Sequence, residues 1–469
     1  MATDTDGDSV AARDALRAAW DELLADLGRA RDAIDQRELM PPPASDRNFA
    51  EGYRYLMGFV HSAVERAFHS DPEFPSFRHA LQVVNKGTID NPDAIYFFAP
   101  IDGRESYVVR GRVGDWRHWR GAGPPTGGGR APQYVIFETS SGDLAGDSGS
   151  LAELRPGVKL RTGSLDSSAI EVAADGSFEI LLAPQRPAGH SGNFVATRRR
   201  SRRPHPDDPG GSADRHATYL SGRQLFYDWA NEQPAALSIH QLAAEGDHPR
   251  PYDSQTAVRQ MRRFGSLVRG QMHFWNEFYT VLLETYGKLD GSPGERFMPR
   301  NEFNAPNAAT AATGGGQSTN IYAGGVYDLA VDEALVIESR IEVEPEYSGM
   351  ALANLWGESH DFANHQSSLN GFQSELDPDG VRRYVIAHRD PGVPNWLDTT
   401  GHREGFMTAR WAYSATPDRD RWPTVGARKV RFSEIREHLH RDTRPVAPAE
   451  RSAHVAVRQR HVQARYRAF

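Results

Sequence analysis

The sequence predicts a mainly β protein with added helices, an α+β chain that contains two tandem β-sandwich or jelly-roll-like units. Three observations support this prediction: short alternating apolar runs between turn residues, a repeat of the same spacing in both halves, and three segments with helical periodicity. Short strands separated by turn signals are typical of sandwiches rather than of alternating β and α units. The chain of 469 residues is long enough for two or three domains.

Helical periodicity first occurs near the N-terminus. Apolar residues recur there three and four positions apart, as on one face of a helix, at Leu16, Trp20, Leu23, Leu24 and Leu27. Pro41–Pro43 ends this segment, and Ser45 offers an N-cap for a second helix. We therefore predict a helical N-terminal segment over residues 1–88.

A third helix is predicted from Ser254, where apolar residues keep the same spacing through about eight turns. We expect this linking helix within residues 254–300 and expect it to pack between two β copies, the first over 89–253 and the second over 301–440. Residues 441–469 combine near-helical apolar spacings with many arginines. They predict a C-terminal helical tail that packs on the first ninety residues or on a neighbouring subunit.

The predicted strands are short apolar runs broken by Gly, Pro, Asp and Asn. They lie at Tyr107–Arg110, Tyr134–Phe137, Phe178–Leu182, Ala334–Glu338, Met350–Asn354 and Tyr384–Ala387. Strands of this length favour a sandwich in each half of the chain.

The two halves share a repeat. Each copy has a leucine, an Asp-Gly pair and an alanine in this order: Leu165, Asp175-Gly176 and Ala183, then Leu369, Asp379-Gly380 and Ala387. The leucine precedes the aspartate by ten residues in both copies, and the aspartate precedes the alanine by eight. Asp-Gly between two alternating strands predicts a hairpin turn.

Two further features follow in the same order in each half. The first is an Asn–aromatic pair, Asn193-Phe194 in one copy and Asn395-Trp396 in the other. The second is an aromatic run that begins at Arg223 in one copy and at Arg410 in the other. The shared order predicts an internal duplication.

Composition and charge restrict the classes of function. The chain has a net charge of −8 and no cysteine. Nucleic-acid binding requires positive charge gathered on one face, so we expect no nucleic-acid partner. Without cysteine, disulfides and thiolate-bound metals are excluded. The acidic, polar N-terminus does not resemble a signal peptide, and no apolar run is long enough for a membrane span, which predicts a cytoplasmic protein without a membrane partner.

One basic segment, residues 198–211, interrupts the first copy. It contains Arg198–Arg200, Arg202 and Arg203 ahead of a turn rich in Pro and Gly. It has two interpretations, a nucleic-acid- or lipid-binding patch and a solvated hairpin tip. The acidic net charge of the chain favours the hairpin tip.

Several segments resemble the domain of unknown function 1214 (DUF1214) family. They are Asn91–Tyr96, Tyr107–Gly111, Leu165–Ser168, Asp175–Ile180, Asn193-Phe194 and Asn395-Trp396-Leu397. The resemblance covers the chain from about Ala50 to the C-terminus, in two related copies. It implies a β-sandwich or jelly-roll-like fold and no particular reaction, because the activity of that family is not established. The first copy departs from the family pattern at Gly189–Asn193 and in the basic segment behind it.

Histidines and acids peculiar to the second copy make it the candidate site. We predict catalytic roles for five imidazoles and carboxylates, His360, Asp361, His365, His388 and Asp390. We predict ligand-binding roles for their polar and aromatic neighbours, Trp356, Arg389, Asn395, Trp396, Asp398, His402 and Trp411. The loop from His388 to His402 contains two prolines and should be stiff. We expect it beside His360 and His365, at the rim or floor of a pocket.

These residues leave two classes of function open. The first is an acid–base enzyme, or a His/carboxylate metal enzyme, in which Asp390 or Asp398 orients a histidine and tryptophans wall an apolar or sugar-like substrate. The second is a non-catalytic ligand-binding or scaffolding protein. A buried salt-bridge network that pins the loop is the purely structural interpretation. The concentration of His and Asp in one copy favours the enzyme; the partners we expect are a small molecule and a second copy of the chain in a homo-oligomer, with no cofactor and no metal.

Overall fold

The computed structural model describes residues 5–36, 40–121, 129–285, 298–308 and 319–466. Its α-helices in these ranges are α1 (Thr5–Asp35), α2 (Asp46–Phe68), α3 (Ser254–Thr280) and α4 (Pro448–Tyr466). A π-helical turn, Val281–Thr285, continues α3. The rest of the predicted linking segment up to residue 297 lies outside the described residues. The predicted fold class is confirmed, because most elements are strands and the helices are additions to them.

The first β copy contains two sheets and a separate hairpin. Its strands are β1 (Arg78–Leu81), β2 (Ala94–Pro100), β3 (Tyr107–Arg112), β4 (Tyr134–Ser141), β5 (Leu160–Asp166), β6 (Ser177–Ala183), β7 (Asn193–Ala196), β8 (Arg198–Arg200), β9 (Asp214–His216), β10 (Tyr219–Leu225) and β11 (Ala236–Gln241). Sheet 1 has the order β1-β2-β10-β4-β5, and sheet 2 has the order β11-β3-β6-β7. Strands β8 and β9 pair with each other.

The second β copy also contains two sheets. Its strands are β12 (Asn320–Asp328), β13 (Glu333–Arg340), β14 (Tyr347–Ala353), β15 (Ser368–Asn370), β16 (Arg382–Ala387), β17 (Trp396–Asp398), β18 (Glu404–Ala412) and β19 (Thr424–Arg431). Sheet 3 has the order β12-β18-β14-β15, and sheet 4 has the order β17-β16-β13-β19. All the strands predicted from sequence lie within these elements or end one residue beyond them.

The two copies have the same strand order. β2-β10-β4-β5 of sheet 1 corresponds to β12-β18-β14-β15 of sheet 3, and sheet 2 read from β11 corresponds to sheet 4 read from β19. Each copy contains one parallel pair, β6 with β7 and β16 with β17. The registers agree too, since Arg223 lies opposite Tyr96 in the first copy and Arg410 lies opposite Tyr322 in the second. This correspondence is what the internal duplication predicts.

The Asp-Gly turns occupy equivalent positions but are not hairpins between paired strands. Asp175-Gly176 and Asp379-Gly380 directly precede β6 and β16, whereas the strands before them, β5 and β15, belong to the opposite sheets. Each turn is closed by the same backbone hydrogen bond, from Gly176 N to Ala173 O and from Gly380 N to Asp377 O, both 2.9 Å. The hairpin prediction is therefore wrong, because the chain crosses between sheets at this turn.

Two N-terminal helices are present and α2 begins after Ser45 as predicted, but α1 ends at Asp35, ahead of Pro41, and only part of its predicted face enters the core. Ser45 caps α2, its hydroxyl accepting a hydrogen bond from Asn48 N at 3.1 Å. On α1, Trp20 and Leu24 of the predicted apolar face remain 53% and 49% exposed. Leu23 of the predicted face is buried, together with Ala19, Ala30, Ala33 and Ile34. The three alanines are small and let α1 approach α3 closely.

The helices α1–α3 form a core that also receives residues of the second copy, among them Val326, Trp356 and Phe406. Two further cores fill the interiors of the sandwiches, one between sheets 1 and 2 and the other between sheets 3 and 4. A smaller cluster joins the copies through Tyr134 and Tyr347. Helix α3 thus contacts the second copy, and it also contacts the loop after β4 in the first through Gln271, which donates to Ala145 O at 2.9 Å.

The C-terminal helix α4 is present, but it packs between the two copies. Its buried arginines recur every seven residues and reach both units, with Arg458 donating to Phe362 O of the second copy and Arg465 to Pro92 O of the first. Tyr466 contacts the first ninety residues at His79, with the centres of the two rings 5.5 Å apart. The predicted packing partner therefore needs correction, because backbone carbonyls of both β copies bind these guanidinium groups.

Across the described ranges, no helix combines the length and the apolar character that crossing a bilayer requires.

Candidate functional site

The structure brings two residues of the predicted site, His360 and His402, together next to helix α2. The imidazole of His402 stacks on that of His360 with ring centres 4.2 Å apart. On its other side His402 Nε2 lies 2.8 Å from Oε1 of Glu51, a buried residue of α2. Burial alone would raise the pKa of Glu51, but the hydrogen bond from His402 and the charges of Arg54 and Arg47 outweigh it and lower this pKa to about 2. Glu51 is therefore a buried anion that fixes His402.

His360 is an uncharged partner in this stack. Its Nε2 lies 2.8 Å from the hydroxyl of Tyr327, a residue inside the second sandwich. Burial, followed by the positive charges of His402 and Lys86, lowers the pKa of His360 well below its usual value. Within the described part of the chain, Nδ1 of His360 has no hydrogen-bond partner. The ring is enclosed by protein, so a substrate does not reach it in this conformation.

His365 and Asp398 form a second, more accessible pair. Nδ1 of His365 lies 2.8 Å from Oδ2 of Asp398, while 44% of the histidine side chain is exposed. Asp398 also accepts a hydrogen bond from Thr400 N at 2.8 Å, which holds the carboxylate in place. Because the carboxylate binds the proton on Nδ1, it leaves Nε2 as the basic nitrogen. This is the geometry of a positioned general base.

His388, Arg389 and Asp390 make contacts that hold the loop in place. Nε2 of His388 donates to Leu329 O at 3.0 Å, and its Nδ1 lies 2.9 Å from the Thr399 hydroxyl. The Arg389 guanidinium covers the ring of Phe432, and Asp390 pairs with Arg451 of α4 at 3.0 Å. Both nitrogens of His388 are therefore occupied, and Asp390 serves to dock α4.

Asn395 has a structural counterpart in the first copy. Its side-chain nitrogen donates to Glu375 O and Arg383 O, and its oxygen accepts from Glu375 N, at 2.8–3.0 Å. Asn193 makes the same three bonds to Glu171 N, Glu171 O and Glu179 O, at 2.7–2.9 Å. Because all three bonds recur in both copies, they belong to the shared framework and leave Asn395 little capacity for a ligand.

The three predicted tryptophans do not share a site. Trp356 is buried in the helical core, Trp411 inside the second sandwich and Trp396 in a separate cluster behind sheet 4. The prediction that they wall one substrate is therefore wrong. Successive residues of a strand point to opposite faces of the sheet, and the sequence does not show which part of the chain packs on each face. Asp361 is also displaced from the site; it is exposed and accepts hydrogen bonds from Asn364 at 2.8 and 3.2 Å.

A cleft lies elsewhere, between helices α2 and α3 and the outer face of sheet 1. This helix–sheet cleft has a volume of about 140 Å³. Phe59 and Ser62 of α2, Trp275 of α3, and Tyr96 and Arg223 of sheet 1 line it. Three larger depressions lie on the faces of sheets 2 and 4 and beside the β8–β9 hairpin. Among the described residues that line these four clefts, none belongs to the predicted site.

Two charged residues of the described chain line the helix–sheet cleft, Arg66 on helix α2 and Arg223 on sheet 1. Arg66 at its wall pairs with the buried carboxylate of Asp147, which also lies 3.1 Å from Arg263. At the sheet, the buried carboxylate of Glu138 lies 2.9 Å from Arg161 and 3.7 Å from Arg223. Of these groups, only the guanidinium groups of Arg66 and Arg223 line the cleft itself, and each lies close to a buried carboxylate.

The sheet end of the cleft adjoins the contact between the two copies. The guanidinium of Arg223 lies 5.1 Å above the ring of Tyr96, its register partner. Arg410, which occupies the equivalent position in the second copy, donates hydrogen bonds to the carbonyl groups of Ile89 and Asp90. Asn85 adds a buried side-chain oxygen that, among the described residues, has no hydrogen-bond partner. Polar groups thus gather at one part of an otherwise aromatic cleft.

Sequence reasoning missed Glu51, Tyr327 and the helix–sheet cleft. Glu51 and His402 are separated by 351 positions, and no local pattern marks such a pair. A signal did exist for the cleft, since Tyr96 ends the family-like segment Asn91–Tyr96 and Arg223 begins the repeated aromatic run. In the structure these two residues lie side by side.

Among the described residues, no three His, Asp or Glu side chains lie close enough together to hold a metal ion.

Comparisons with known proteins extend the description of the fold. The chain is similar to the crystal structure of an uncharacterised protein from Burkholderia cenocepacia, with a TM-score of 0.70 and 26% identity over 90% of this chain and 99% of that one. A structure from Vibrio parahaemolyticus aligns with a TM-score of 0.39 and 11% identity, over 85% of this chain and 99% of that one. No protein-family model and no curated protein matches the sequence. The comparison with the Burkholderia protein thus supports the arrangement of nearly the whole chain and names no activity.

Proposed function

We propose that the protein binds a compact, largely apolar molecule with an anionic group in the helix–sheet cleft. The observation that carries this proposal is the combination of aromatic walls with the two guanidinium groups of Arg66 and Arg223, which line the same cleft. Aromatic and apolar walls with a few convergent polar groups are typical of small-molecule sites. Guanidinium groups in the wall of the cleft favour a ligand with a carboxylate or a similar anion over a neutral ligand.

The volume of the cleft limits the size of the ligand. At about 140 Å³ it is close to the roughly 150 Å³ of an engineered apolar cavity that binds benzene. A single ring or a short branched chain with one acidic group therefore fits. Trp275 and Phe59 offer apolar contact from the helices, while Arg223 offers charge from the sheet. Binding without turnover accounts for these features, because the described residues that line this cleft include no paired acid and base.

Calorimetric titration of benzoate, with benzyl alcohol as the neutral analogue, tests the proposal. Benzoate should bind about tenfold more tightly, which corresponds to about 1.4 kcal/mol. Ser62→Phe fills the cleft from α2 and should abolish binding. Val64→Phe introduces the same side chain at an exposed position of the same helix and should leave binding unchanged. Equal affinity for the acid and the alcohol, or binding by Ser62→Phe, would contradict the proposal.

Acid–base chemistry in the second copy is a second candidate function. It is supported by the 2.8 Å contact between His365 and Asp398 together with the exposure of the imidazole. Hydrolysis of 4-nitrophenyl acetate provides a probe of an accessible basic histidine. His365→Ala and Asp398→Asn should both slow this hydrolysis, while His438→Ala, at a half-buried histidine of the same copy, should not. Unchanged hydrolysis in the His365 variant would remove this candidate.

Two sequence expectations are retained as proposals. We propose that both β copies belong to the DUF1214 family, because the segments Asn91–Tyr96, Asp175–Ile180 and Asn395-Trp396-Leu397 resemble that family.

We also propose a homo-oligomer, supported by the exposure of Trp20 and Leu24 on α1. Light scattering of the wild type and of a Trp20→Glu, Leu24→Glu variant tests the second proposal; the wild type should be larger than a monomer and the variant should be monomeric.

A further inference from the structure

The two copies differ in the connection that follows their parallel strands. In the second copy β17 ends at Asp398 and β18 begins at Glu404, so residues 399–403 complete the connection. In the first copy β7 ends at Ala196 and β10 begins at Tyr219, and the chain between them contains the β8–β9 hairpin. Because the same fold closes with a short loop, the hairpin is an addition to the duplicated framework rather than a part that the fold requires.

The added hairpin is held against the turn that precedes β5. Gly157 has a φ of +97°, and a Cβ there would lie 2.5 Å from the carbonyl oxygen of Pro204, so turn and hairpin are in close contact. Arg155 donates two hydrogen bonds to Asp207 at 2.9 Å, and Arg199 donates to Arg161 O at 3.2 Å. The basic side chains of the hairpin are therefore presented from a fixed backbone.

A cleft of about 580 Å³ lies between the hairpin and this turn. Its cationic lining consists of Lys159, Arg199, Arg200, Arg202 and Arg203. Lys159 is neutralised by Glu153 at 2.8 Å. Arg200, Arg202 and Arg203 are exposed, and within the described parts of the chain no carboxylate forms an ion pair with any of them. The cleft thus combines several uncompensated positive charges with room for a small ligand.

We infer that this hairpin cleft binds a soluble, compact ligand that carries two or three linked phosphate groups. Each guanidinium offers a planar pair of donors that matches two phosphate oxygens. The net charge of −8 for the whole chain disfavours a long polyanion, since a nucleic acid that extends beyond the hairpin would lie along a protein of net negative charge. A short polyphosphate concentrates its charge within the cleft and avoids that repulsion. The inference is independent of the helix–sheet cleft.

Calorimetric titration with inorganic tripolyphosphate tests this inference. Binding should have a stoichiometry of one and should weaken about tenfold between about 50 and about 200 mM salt, as expected for contacts with several phosphates. The triple variant Arg200→Ser, Arg202→Ser, Arg203→Ser should bind at least about tenfold more weakly. The control Arg104→Ser, Arg112→Ser, Arg441→Ser removes the same charge from exposed positions elsewhere and should keep the wild-type affinity.

A second variant separates binding from folding. Replacing residues 197–218 by a loop copied from residues 399–403 should abolish tripolyphosphate binding and leave the circular dichroism spectrum of a folded protein. Equal affinity in the triple variant and the wild type would overturn the inference, as would the absence of tripolyphosphate binding to the wild type at about 50 mM salt. Tighter binding of a DNA duplex, or of vesicles that contain phosphatidylserine, would also overturn it, because the hairpin would then recognise an extended anionic surface.

Discussion

His402 Nε2 and Glu51 Oε1 lie 2.8 Å apart, in a contact that fastens the second β copy to helix α2. Both side chains are buried, and the ring of His402 continues the contact inward by stacking on His360. The pair therefore joins two parts of the chain that the sequence separates by 351 positions. It accounts for His360 and His402 as residues that hold the second copy against helix α2. Because Glu51 is part of this contact, the stability of the protein in acid tests its role.

Protonation of Glu51 should destabilise the protein in acid. Because His402 and the neighbouring arginines lower its folded pKa from 4.5 to about 2, its contribution to stability is complete above pH 4.5 and is lost as the pH falls towards 2. The shift corresponds to about 3 kcal/mol. Urea unfolding at pH 7 and pH 3 should show a smaller loss for Glu51→Gln than for the wild type. Glu22→Gln, at an exposed ion pair on α1, should behave like the wild type at both pH values.

The two equivalent asparagines should both be structural. Asn395→Ala removes three hydrogen bonds from a buried position and should lower the free energy of unfolding by about 2–3 kcal/mol. Asn193→Ala removes the same bonds from a less buried position and should cost about 1–2 kcal/mol. Chemical denaturation measures both. Wild-type stability of the Asn395 variant would contradict this role and restore Asn395 as a candidate ligand-binding residue.

Two helical glycines should respond oppositely to alanine. At Gly28 of α1 a Cβ meets nothing within 4 Å, so Gly28→Ala should stabilise the protein by about 0.5–1 kcal/mol through helix propensity. At Gly52 of α2 a Cβ would lie 2.6 Å from Cζ2 of Trp356, so Gly52→Ala should destabilise by about 1–3 kcal/mol through overpacking. Thermal melts of both variants measure the difference. Stabilisation by Gly52→Ala would contradict the close contact between α2 and the second copy.

The buried arginines of α4 should be required for stability. Arg458 donates to Phe362 O and to Ser368, and it covers the ring of Trp229. Burial, partly offset by the charge of Asp93, lowers the pKa of Arg458 to about 10, as expected for a cation enclosed by protein. Arg458→Met should lower the free energy of unfolding by about 2–4 kcal/mol, because carbonyl groups lose their donors.

Arg460→Met, at an exposed position of the same helix, is the matched control and should change stability by less than about 0.5 kcal/mol. Equal effects of the Arg458 and Arg460 variants would show that α4 does not pack between the two copies through its arginine face.

The elements of this fold are predictable from sequence because each has a local signal. Ser254 begins a helix whose apolar residues keep a spacing of three and four, and Ser45 caps α2 as its residue type suggests. The duplication is visible because a few residues recur with the same spacing in both copies, as at Asp175-Gly176 and Asp379-Gly380. Each of these signals lies in residues that are close together in the chain, so each can be recognised in the sequence alone.

The candidate site was less predictable because it depends on which faces of the strands and helices are buried by distant parts of the chain. Trp356, Trp396 and Trp411 are close in sequence, yet they enter three different cores. His388 and Asp390 have the residue types of an active site, but their partners are a carbonyl group of Leu329 and a guanidinium group of α4. Only His360 with His402 and His365 with Asp398 meet as expected within the described residues. A single sequence carries no information on such distant contacts.

A crystal structure of the protein soaked with benzoate tests the proposed function most directly. The account predicts electron density for the ring between Trp275 and Tyr96, with the carboxylate directed towards Arg223, and predicts that this density is absent from Ser62→Phe crystals. Density for benzoate at another site, or a helix–sheet cleft without benzoate at concentrations that saturate the calorimetric titration, would contradict the account.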